Sequence, residues 1–351
     1  MSNWNTHGRS VLERCGGISF VIPSARPTVF LPAIIRTLTE QCRRGACPIE
    51  IIVVLDANGV GFGPSEDLQA VSSSEVVSIV STTGSQGPAA ARNLGAARAR
   101  HTHLCFLDDD VIPGVNFVCA LADVLPQHEQ EAVLCRVLHH PSILTCSTAK
   151  RYRSTWLGLP DKLVRYSEGA RLSWRLMQAC ALVMDRRQFH SMGGFNELFR
   201  HPHYEDLDLA ARFHEEGGTL RLARRPAVFH YGYHSVVGHL HWCAKNGYWK
   251  RVFCEMHPSL AKEALHVVRN PLGTMKLTDV ILSARQRSVL ISRLALLNQK
   301  QSLSSRQQLV WNAMLALLGV DCERRAFVRR TWSVRSDQMI HELPEVCALQ
   351  V

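Results

Sequence analysis

The sequence lacks most of the marks that announce a common protein class. None of its 12 cysteines stands in a C-x-x-C pair, so neither a zinc knuckle nor a disulfide framework is indicated. No glycine-rich G-x-G-x-x-G turn and no P-loop is present, so NAD-dependent chemistry and ATP hydrolysis fit poorly. Long apolar runs are missing too: Trp311 to Val320 covers only ten residues, too few to span a bilayer. The opening Met1-Ser2-Asn3-Trp4-Asn5 has no basic segment leading into an apolar one. No signal peptide is therefore expected, and a reducing cytoplasm is the expected home. At 46% hydrophobic and 20% charged residues, the chain is also too apolar to be read as largely disordered.

What is present is material for about two domains in 351 residues, with an uneven charge. Residues 1–239 hold 24 basic and 22 acidic side chains, whereas residues 240–351 hold 16 and 8. The net charge of +10 thus sits mainly in the C-terminal third. Such a bias suits an anionic membrane surface, nucleic acid or an acidic substrate, and solvated helix faces also produce it.

The first half alternates two periodicities. Ile18 to Ile22, ended by Pro23, and Ile49 to Leu55, ended by Asp56, read as buried strands with loops at their carboxyl ends. Between them Leu31, Ile34, Ile35 and Leu38 mark one face of a helix over Val29 to Cys42. Val76 to Val80 reads as a third strand, and Pro88 opens a helix over Ala89 to Arg100. A fourth strand begins at Leu104. This order predicts an α/β fold with a mostly parallel sheet flanked by helices, and ligands of such sheets gather at the carboxyl ends of the strands. Pro23, Ser24, Asp56 and the acids after Leu107 should therefore share one rim. The helix start at Pro88 adds backbone N–H groups suited to phosphate.

Those acids are Asp108-Asp109-Asp110, placed directly after Leu104-Cys105-Phe106-Leu107. Adjacent carboxylates repel and cost desolvation energy unless a cation or hydrogen-bond donors compensate them. A hard divalent ion is the economical compensation, and a solvated acidic turn is the bland alternative. Strand alternation lets Asp108 and Asp110 converge while Asp109 points elsewhere. With the phosphate-friendly helix end, this rim suggests a nucleotide diphosphate. Asp56 reads either as an acceptor for a base or ribose, or as a turn residue.

A second acidic cluster lies at Glu205-Asp206-Leu207-Asp208, where a helix is predicted to start and to run to Gly217-Gly218. Capping needs fewer carboxylates than this, and an ionised carboxylate at a cleft edge can serve as a general base. Farther on, His230 and His234 follow the strand candidate Ala227-Val228-Phe229. A histidine there is either structural or a metal ligand. Spacing of four would let both meet one ion on a helix, although Gly232 and the missing Glu of H-E-x-x-H argue against a zincin site.

Six stretches in order resemble the family 2 glycosyltransferases of the GT-A fold. They are Phe20-Val21-Ile22-Pro23-Ser24, Ile52-Val53-Val54-Leu55-Asp56, residues 87–95 from Gly87 to Gly95, Phe106 to Asp110, Gly193-Gly194-Phe195-Asn196-Glu197, and Glu205 to Leu209. The resemblance covers about residues 17–240. It implies a GT-A domain at 17–240, with a nucleotide-binding half at 17–113 and an acceptor half at 114–240. A segment at 1–16 precedes it, and a basic, mainly helical region at 241–351 extends it. It further implies a nucleotide-sugar donor contacted by Pro23, Ser24, Asp56, Arg92, Asp108 and Asp109. Asp108 and Asp110 would form a DxD motif for Mn2+ or Mg2+, with His230 and His234 as further metal candidates. Asp206 would be the general base of an inverting transfer and Glu205 would position the acceptor, a glycan, lipid-linked glycan, small molecule or peptide.

Two other classes stay open at this level. A sugar nucleotidyltransferase would open with a glycine-rich basic loop, which Pro23-Ser24-Ala25-Arg26-Pro27 is not. A nucleic-acid binder would use the basic C-terminal third but leave the acidic rim without a role, so no nucleic acid is expected. Past residue 240, Leu240 to Pro258 is aromatic and basic. Leu277, Val280, Ile281 and Ala284 are at helix spacing among Arg285, Arg287 and Arg293, a pattern that fits peripheral contact with a membrane or a helix packed on its own domain.

Overall fold

The protein is described by a computed structural model, covering residues 16–25, 30–43, 47–56, 68, 70–71, 73–84, 86–141, 163–231, 236–265, 268–270, 273–275, 282–298, 300 and 303–328. It divides into two compact units, residues 1–139 with 163–232, and residues 140–162 with 233–351.

The first unit is built on one mixed sheet. In chain order it contains β1 (Ile18–Ser24), α1 (Leu31–Cys42), β2 (Ile49–Leu55), β3 (Val77–Ser81), α2 (Pro88–Arg98), β4 (His103–Leu107), β5 (Val111–Pro113), α3 (Phe117–Ala122) and β6 (Glu131–His139). Then come β7 (Arg171–Leu172), β8 (Ala181–Asp185), α4 (Arg186–Ser191), α5 (Glu205–Glu215) and β9 (Thr219–His230). The strand order is β3-β2-β1-β4-β8-β6-β9-β5, with β7 beside β9. The four strands β3, β2, β1 and β4 are mutually parallel. Their near-continuous apolar runs fit strands covered on both faces, and β1, β2 and β4 are almost wholly buried. The other half is mixed: β8 runs antiparallel to β4 and β6, while β6 and β9 are parallel.

Pro23 does not end β1 as the sequence suggests. It stays in the strand in register with Val54, and the strand runs on to Ser24. The expected helix at Val29 begins at Leu31, with Pro32 in its first turn and Leu31, Ile34, Ile35 and Leu38 buried. Gly87 precedes α2 with φ 92°, a conformation that glycine adopts freely, and a Cβ there would overlap the Arg200 carbonyl. Small side chains then let α2 lie close to the sheet: Ala89, Ala90, Ala91 and Gly95 are buried, and a Cβ on Gly95 would collide with Val21. Cys47 is disulfide-bonded, with its partner outside the described residues, so the reading of the cysteines as unpaired thiols needs this exception.

The second unit is mainly helical: α6 (Val236–Met256), α7 (Ala261–Leu265), a short β10 (Val268–Asn270) and β11 (Gly273–Met275) hairpin, α8 (Ala284–Asn298) and α9 (Ser305–Val328). Leu240, Ala244, Ile291, Leu294, Trp311, Leu315 and Leu318 form its core. The buried Glu323 pairs with Lys250 and accepts from Asn246 at 3.0 Å, tying α9 to α6. Asp321, 1% exposed, accepts from the Leu282 backbone and from Arg325, fixing the start of α8. Leu277, Val280 and Ile281 lie outside the described residues, so the helical face expected from them begins, in what is described, at Ala284. Among the described residues no helix is long and apolar enough to cross a membrane.

A buried carboxylate locks the parallel edge. Glu50 on β2 accepts from the Ser19 hydroxyl at 2.7 Å, the Arg100 backbone at 2.6 Å and the Arg100 guanidinium at 2.9 Å. Burial pushes its pKa up, but these donors outweigh it and hold it below the ordinary 4.5. Its contribution to stability is therefore present above the unfolded-state value and lost as pH falls through the lower folded-state one. We expect Glu50→Ala to remove the acceptor of all three donors and cost about 2–4 kcal/mol in urea denaturation at neutral pH. The gap to the parent should narrow in acid.

Candidate active site

The loops at the carboxyl ends of the parallel strands carry the polar residues singled out in the sequence. Ser24 closes β1, Asp56 follows β2, and Asp108 to Asp110 follow β4. The three consecutive carboxylates have three different partners. Asp108 Oδ1 accepts from Arg92 at 2.8 Å, Asp109 Oδ2 accepts from the Ser24 hydroxyl at 2.6 Å, and Asp110 Oδ2 lies 3.3 Å from His230 Nε2. The chain makes this turn through a Val111 N–H to Asp108 carbonyl bond, and Asp110's own carbonyl accepts from the Tyr231 N–H. Pairing of β5 with β9 sets Val111 opposite His230, which brings Asp110 and His230 together.

Burial pushes the Asp109 carboxyl up to about 7; the Ser24 hydroxyl opposes the shift, while Asp108 and Asp110 add to it. Burial alone would favour a neutral His230. The hydrogen bond and charge of Asp110, with Asp108 behind it, instead raise its pKa.

His230 is the last residue of β9. The helical spacing considered for His230 and His234 therefore does not describe His230, and His234 lies outside the described residues. Among the described residues no group of three or more His, Cys, Asp or Glu side chains is assembled to hold a metal. Asp110 and His230 nevertheless converge as an oxygen and an imidazole donor, a pair that suits Mn2+ or a similar ion completed by ligand oxygens. The donor chemistry fits a divalent metal held from two points by the protein.

Arg92 joins this turn to the second acidic cluster. The guanidinium is buried, with Asp108 on one terminal nitrogen and Glu205 Oε1 at 3.0 Å on the other. It also lies 5.4 Å from the Phe195 ring centre, a cation–π contact. Burial disfavours the charged guanidinium, but the two carboxylates more than reverse that and raise its pKa. Apart from the Phe195 ring, its contacts within the protein are with these two acids, whereas the sequence reading made it a candidate contact to the donor. Glu205 Oε2 is buried without a hydrogen-bond partner.

Glu205 and Asp206 begin α5. Burial raises both carboxyl groups above the ordinary range. In Glu205 the charge of Asp206 adds to this and Arg92 opposes it; in Asp206 Arg92 opposes most, and Asp108 adds. Tyr204, just before them, has φ 66° and is the one non-glycine residue at positive φ among those described. Such strain persists only when surrounding structure enforces it. Asp208, the third acid of the cluster, is fully buried and paired with Arg212. Arg212 in turn donates to the Met192 and Gly194 carbonyls at 2.7 Å each, holding α5 against the glycine turn.

Asp56 is a loop organiser. Its Oδ1 accepts from Thr82 Oγ1 at 2.7 Å and Gln86 N at 2.8 Å, and its Oδ2 accepts from Gly87 N at 2.8 Å. Sequence reasoning did not single out Thr82 and Gln86, since neither type marks a site alone. Asn93 was likewise passed over: it donates to the Phe195 carbonyl at 2.8 Å and accepts from the Phe195 N–H at 2.8 Å. Its place next to Arg92, with Gly193-Gly194-Phe195 on the other side, was the available signal.

The half-parallel sheet, with acids at the strand ends and an acidic helix start joined to them, defines the GT-A glycosyltransferase class of fold. Within that class, residues 19–170 match the model described as Glycosyl transferase family 2. The match ends before Glu205, Asp206 and His230. No curated protein matches the chain.

Similar solved structures include GalNAc-T7 with UDP, GalNAc and Mn2+, at 15% identity over 62% of this chain and 43% of that one, TM-score 0.46. Others are S. aureus TarS, at 10% identity over 89% and 55%, TM-score 0.47, and mannosyltransferase PcManGT from Pyrobaculum calidifontis in complex with GDP-Man and Mn2+. The last shows 14% identity over 86% of each chain, TM-score 0.48. The chain spans about half the length of the first two.

The Arg92 bridge can be tested by removing its charge while keeping most of its volume. Arg92→Met leaves Asp108 and Glu205 facing each other without compensation, at an expected cost of about 3–5 kcal/mol. Without the guanidinium the folded-state pKa of Glu205 rises further above the unfolded 4.5. The lost stability should therefore be greater at about pH 8 than at about pH 5, where the orphaned carboxyl takes up a proton. Chemical denaturation at both values reads this.

Proposed function

We propose that the chain moves a sugar from a nucleotide-sugar donor to an acceptor nucleophile, with inversion at the anomeric carbon and with a divalent metal. The observation that carries this reading is the Arg92 bridge. It makes the Asp108 turn and the start of α5 one electrostatic unit, although Arg92 and Glu205 are 113 residues apart.

The donor is assigned to the rim at the strand ends. Asp56 shapes the loop before α2 by accepting from the Gln86 and Gly87 N–H groups, and the N-terminal end of that helix suits an anion. Pro23 and Ser24 form the adjoining edge, and Ser24 holds Asp109. Asp110 and His230 would hold Mn2+ or Mg2+, with Asp108 Oδ2 turned to the same task while Oδ1 serves Arg92. A bound cation there supplies charge compensation for the departing diphosphate.

Asp206 takes the proton of the acceptor hydroxyl or other nucleophile as that atom attacks from the face opposite the nucleotide. The backbone N–H of Leu207 donates to Asp206 Oδ1 at 2.8 Å, which orients the carboxylate. Glu205 is fixed by Arg92 through Oε1 and has Oε2 left for an acceptor group. The acceptor belongs to one of the classes named from the sequence, a glycan, a lipid-linked glycan, a small molecule or a peptide.

Screening nucleotide sugars for metal-stimulated donor hydrolysis and transfer tests the whole reading. Turnover is expected with Mn2+ or Mg2+ and loss with a chelator; no turnover of any nucleotide sugar would sink it. Asp206→Asn should reduce transfer by at least about 100-fold, as expected for losing a general base, while nucleotide-sugar binding measured by calorimetry stays close to the parent's. Equal loss of binding would remove the base assignment. Because burial raises the Asp206 pKa above 3.8, the base is protonated in acid. The rate should climb with pH along a limb displaced above the ordinary carboxylate range.

A further inference from the structure

The second unit carries an exposed apolar surface beside basic side chains. A cleft of about 410 Å3 opens along α8 and α9, lined by Arg293, Leu296, Leu297, Lys300, Val310 and Met314. Positions 293, 296, 297 and 300 follow the i, i+3, i+4, i+7 spacing of one helix face, with Lys300 just past the end of α8. Leu296 is 65% exposed and Val310 46%. Val289 and Leu309 are exposed on the same two helices. Large exposed apolar groups lying together and rimmed by charge mark an interaction surface, unlike a lone surface leucine.

The charge around this cleft has one sign. Residues 280–320 contain no Asp or Glu and five basic residues, Arg285, Arg287, Arg293, Lys300 and Arg306. Arg285, Arg293, Lys300 and Arg306 are exposed, whereas Arg287 is turned inward to Asp321 at 3.5 Å. A polyanion such as RNA would match the arginines, but its bases stack on aromatic rings, which Leu296 and Val310 do not offer. An uncharged apolar partner would match the leucines and leave the cations unused. An anionic lipid surface matches both: acyl chains bury the apolar side chains while headgroup phosphates meet the cations.

We propose that α8 and α9 form a docking face for an anionic phospholipid bilayer, with Leu296 and Val310 entering the acyl boundary and Arg293 and Lys300 at headgroup level. The contact is peripheral, consistent with the absence among the described residues of a helix that could cross the membrane. It stands independently of the sugar-transfer reading.

Vesicle flotation of the full chain tests it, with phosphatidylcholine alone and with phosphatidylcholine mixed with phosphatidylglycerol. The parent should float with the mixed vesicles and not with the neutral ones. Leu296→Ser with Val310→Ser should weaken partitioning at least about tenfold through lost apolar burial. Arg293→Glu with Lys300→Glu should weaken it at least about 25-fold, at about fivefold for each cation lost. All four positions are solvent-accessible, so a thermal melt like the parent's identifies variants that retain the fold. Parent protein that stays unbound overturns the proposal, as do serine variants that float undiminished, the result expected of a purely electrostatic site for RNA or another polyanion. Nucleotide-sugar binding by the same samples reports separately on the first unit, so failure here is distinguishable from failure of the donor assignment.

Discussion

The arrangement of the first unit turns on a single buried guanidinium. Arg92 is 4% exposed, and a cation removed from water to that degree must be matched by anions in good geometry. It obtains two, from parts of the chain that meet only in the folded state, the turn after β4 and the start of α5. The compensation is one-sided in charge. Apart from Asp208, which pairs with Arg212, the two acidic segments hold five carboxylates, Asp108, Asp109, Asp110, Glu205 and Asp206, against Arg92 and His230. Burial first, and neighbouring acids after it, displace Asp109, Glu205 and Asp206 upward, while Asp110 and Asp108 overcome burial to raise His230. Under the proposed reading an added cation would offset this excess of acids, and burial above all leaves Asp206 a stronger base than an exposed aspartate.

Everything around the bridge limits how far its ends can move. Asn93 is clamped by both backbone groups of Phe195, whose ring lies near the Arg92 guanidinium. Arg212 fastens α5 to the Met192 and Gly194 carbonyls through the buried Asp208. Tyr204 takes up positive φ at the entry to that helix. The cost of that conformation, of order 1–3 kcal/mol, is offset by packing on both sides. The carboxylates are thus carried by the end of a strand and the first turn of a helix, with the loops between them cross-linked.

Much of this was legible in the sequence because buried parallel strands are written as continuous apolar runs. Ile49–Leu55 was bounded by its composition alone, and the acids at Asp56 and Asp108 to Asp110 followed from the rule that ligands collect at strand ends. What was not legible depended on partners distant in sequence. Arg92 on a helix looks like any solvated arginine until Glu205 is beside it. The Asp208–Arg212 pair was not visible because helical periodicity cannot tell a buried ion pair from an exposed carboxylate. Pro23 was read as a strand end since proline removes a donor, yet β1 continues through it in register with β2. His230 was set beyond a short strand because β9 is longer than its apolar core, running from Thr219.

The net charge of +10 conceals two local fields of opposite sign. At the strand ends of the first unit acids outnumber bases, and their pKa values rise because the excess is partly buried. Along α8 and α9 of the second, 41 residues pass without an acid, and the cations flank exposed leucine and valine. A single figure for the chain would suggest a generic polyanion partner for the whole protein. Resolved by unit, the charge argues for two ligands of different physics. At the acidic rim the charges are partly buried, so under the proposed reading desolvation would govern binding and a metal would bring a phosphate near carboxylates. At the basic helices the charges are exposed, so attraction is screened by salt and weak for each residue. There the apolar side chains, indifferent to salt, are what would give an anionic surface a hold that charge alone does not provide.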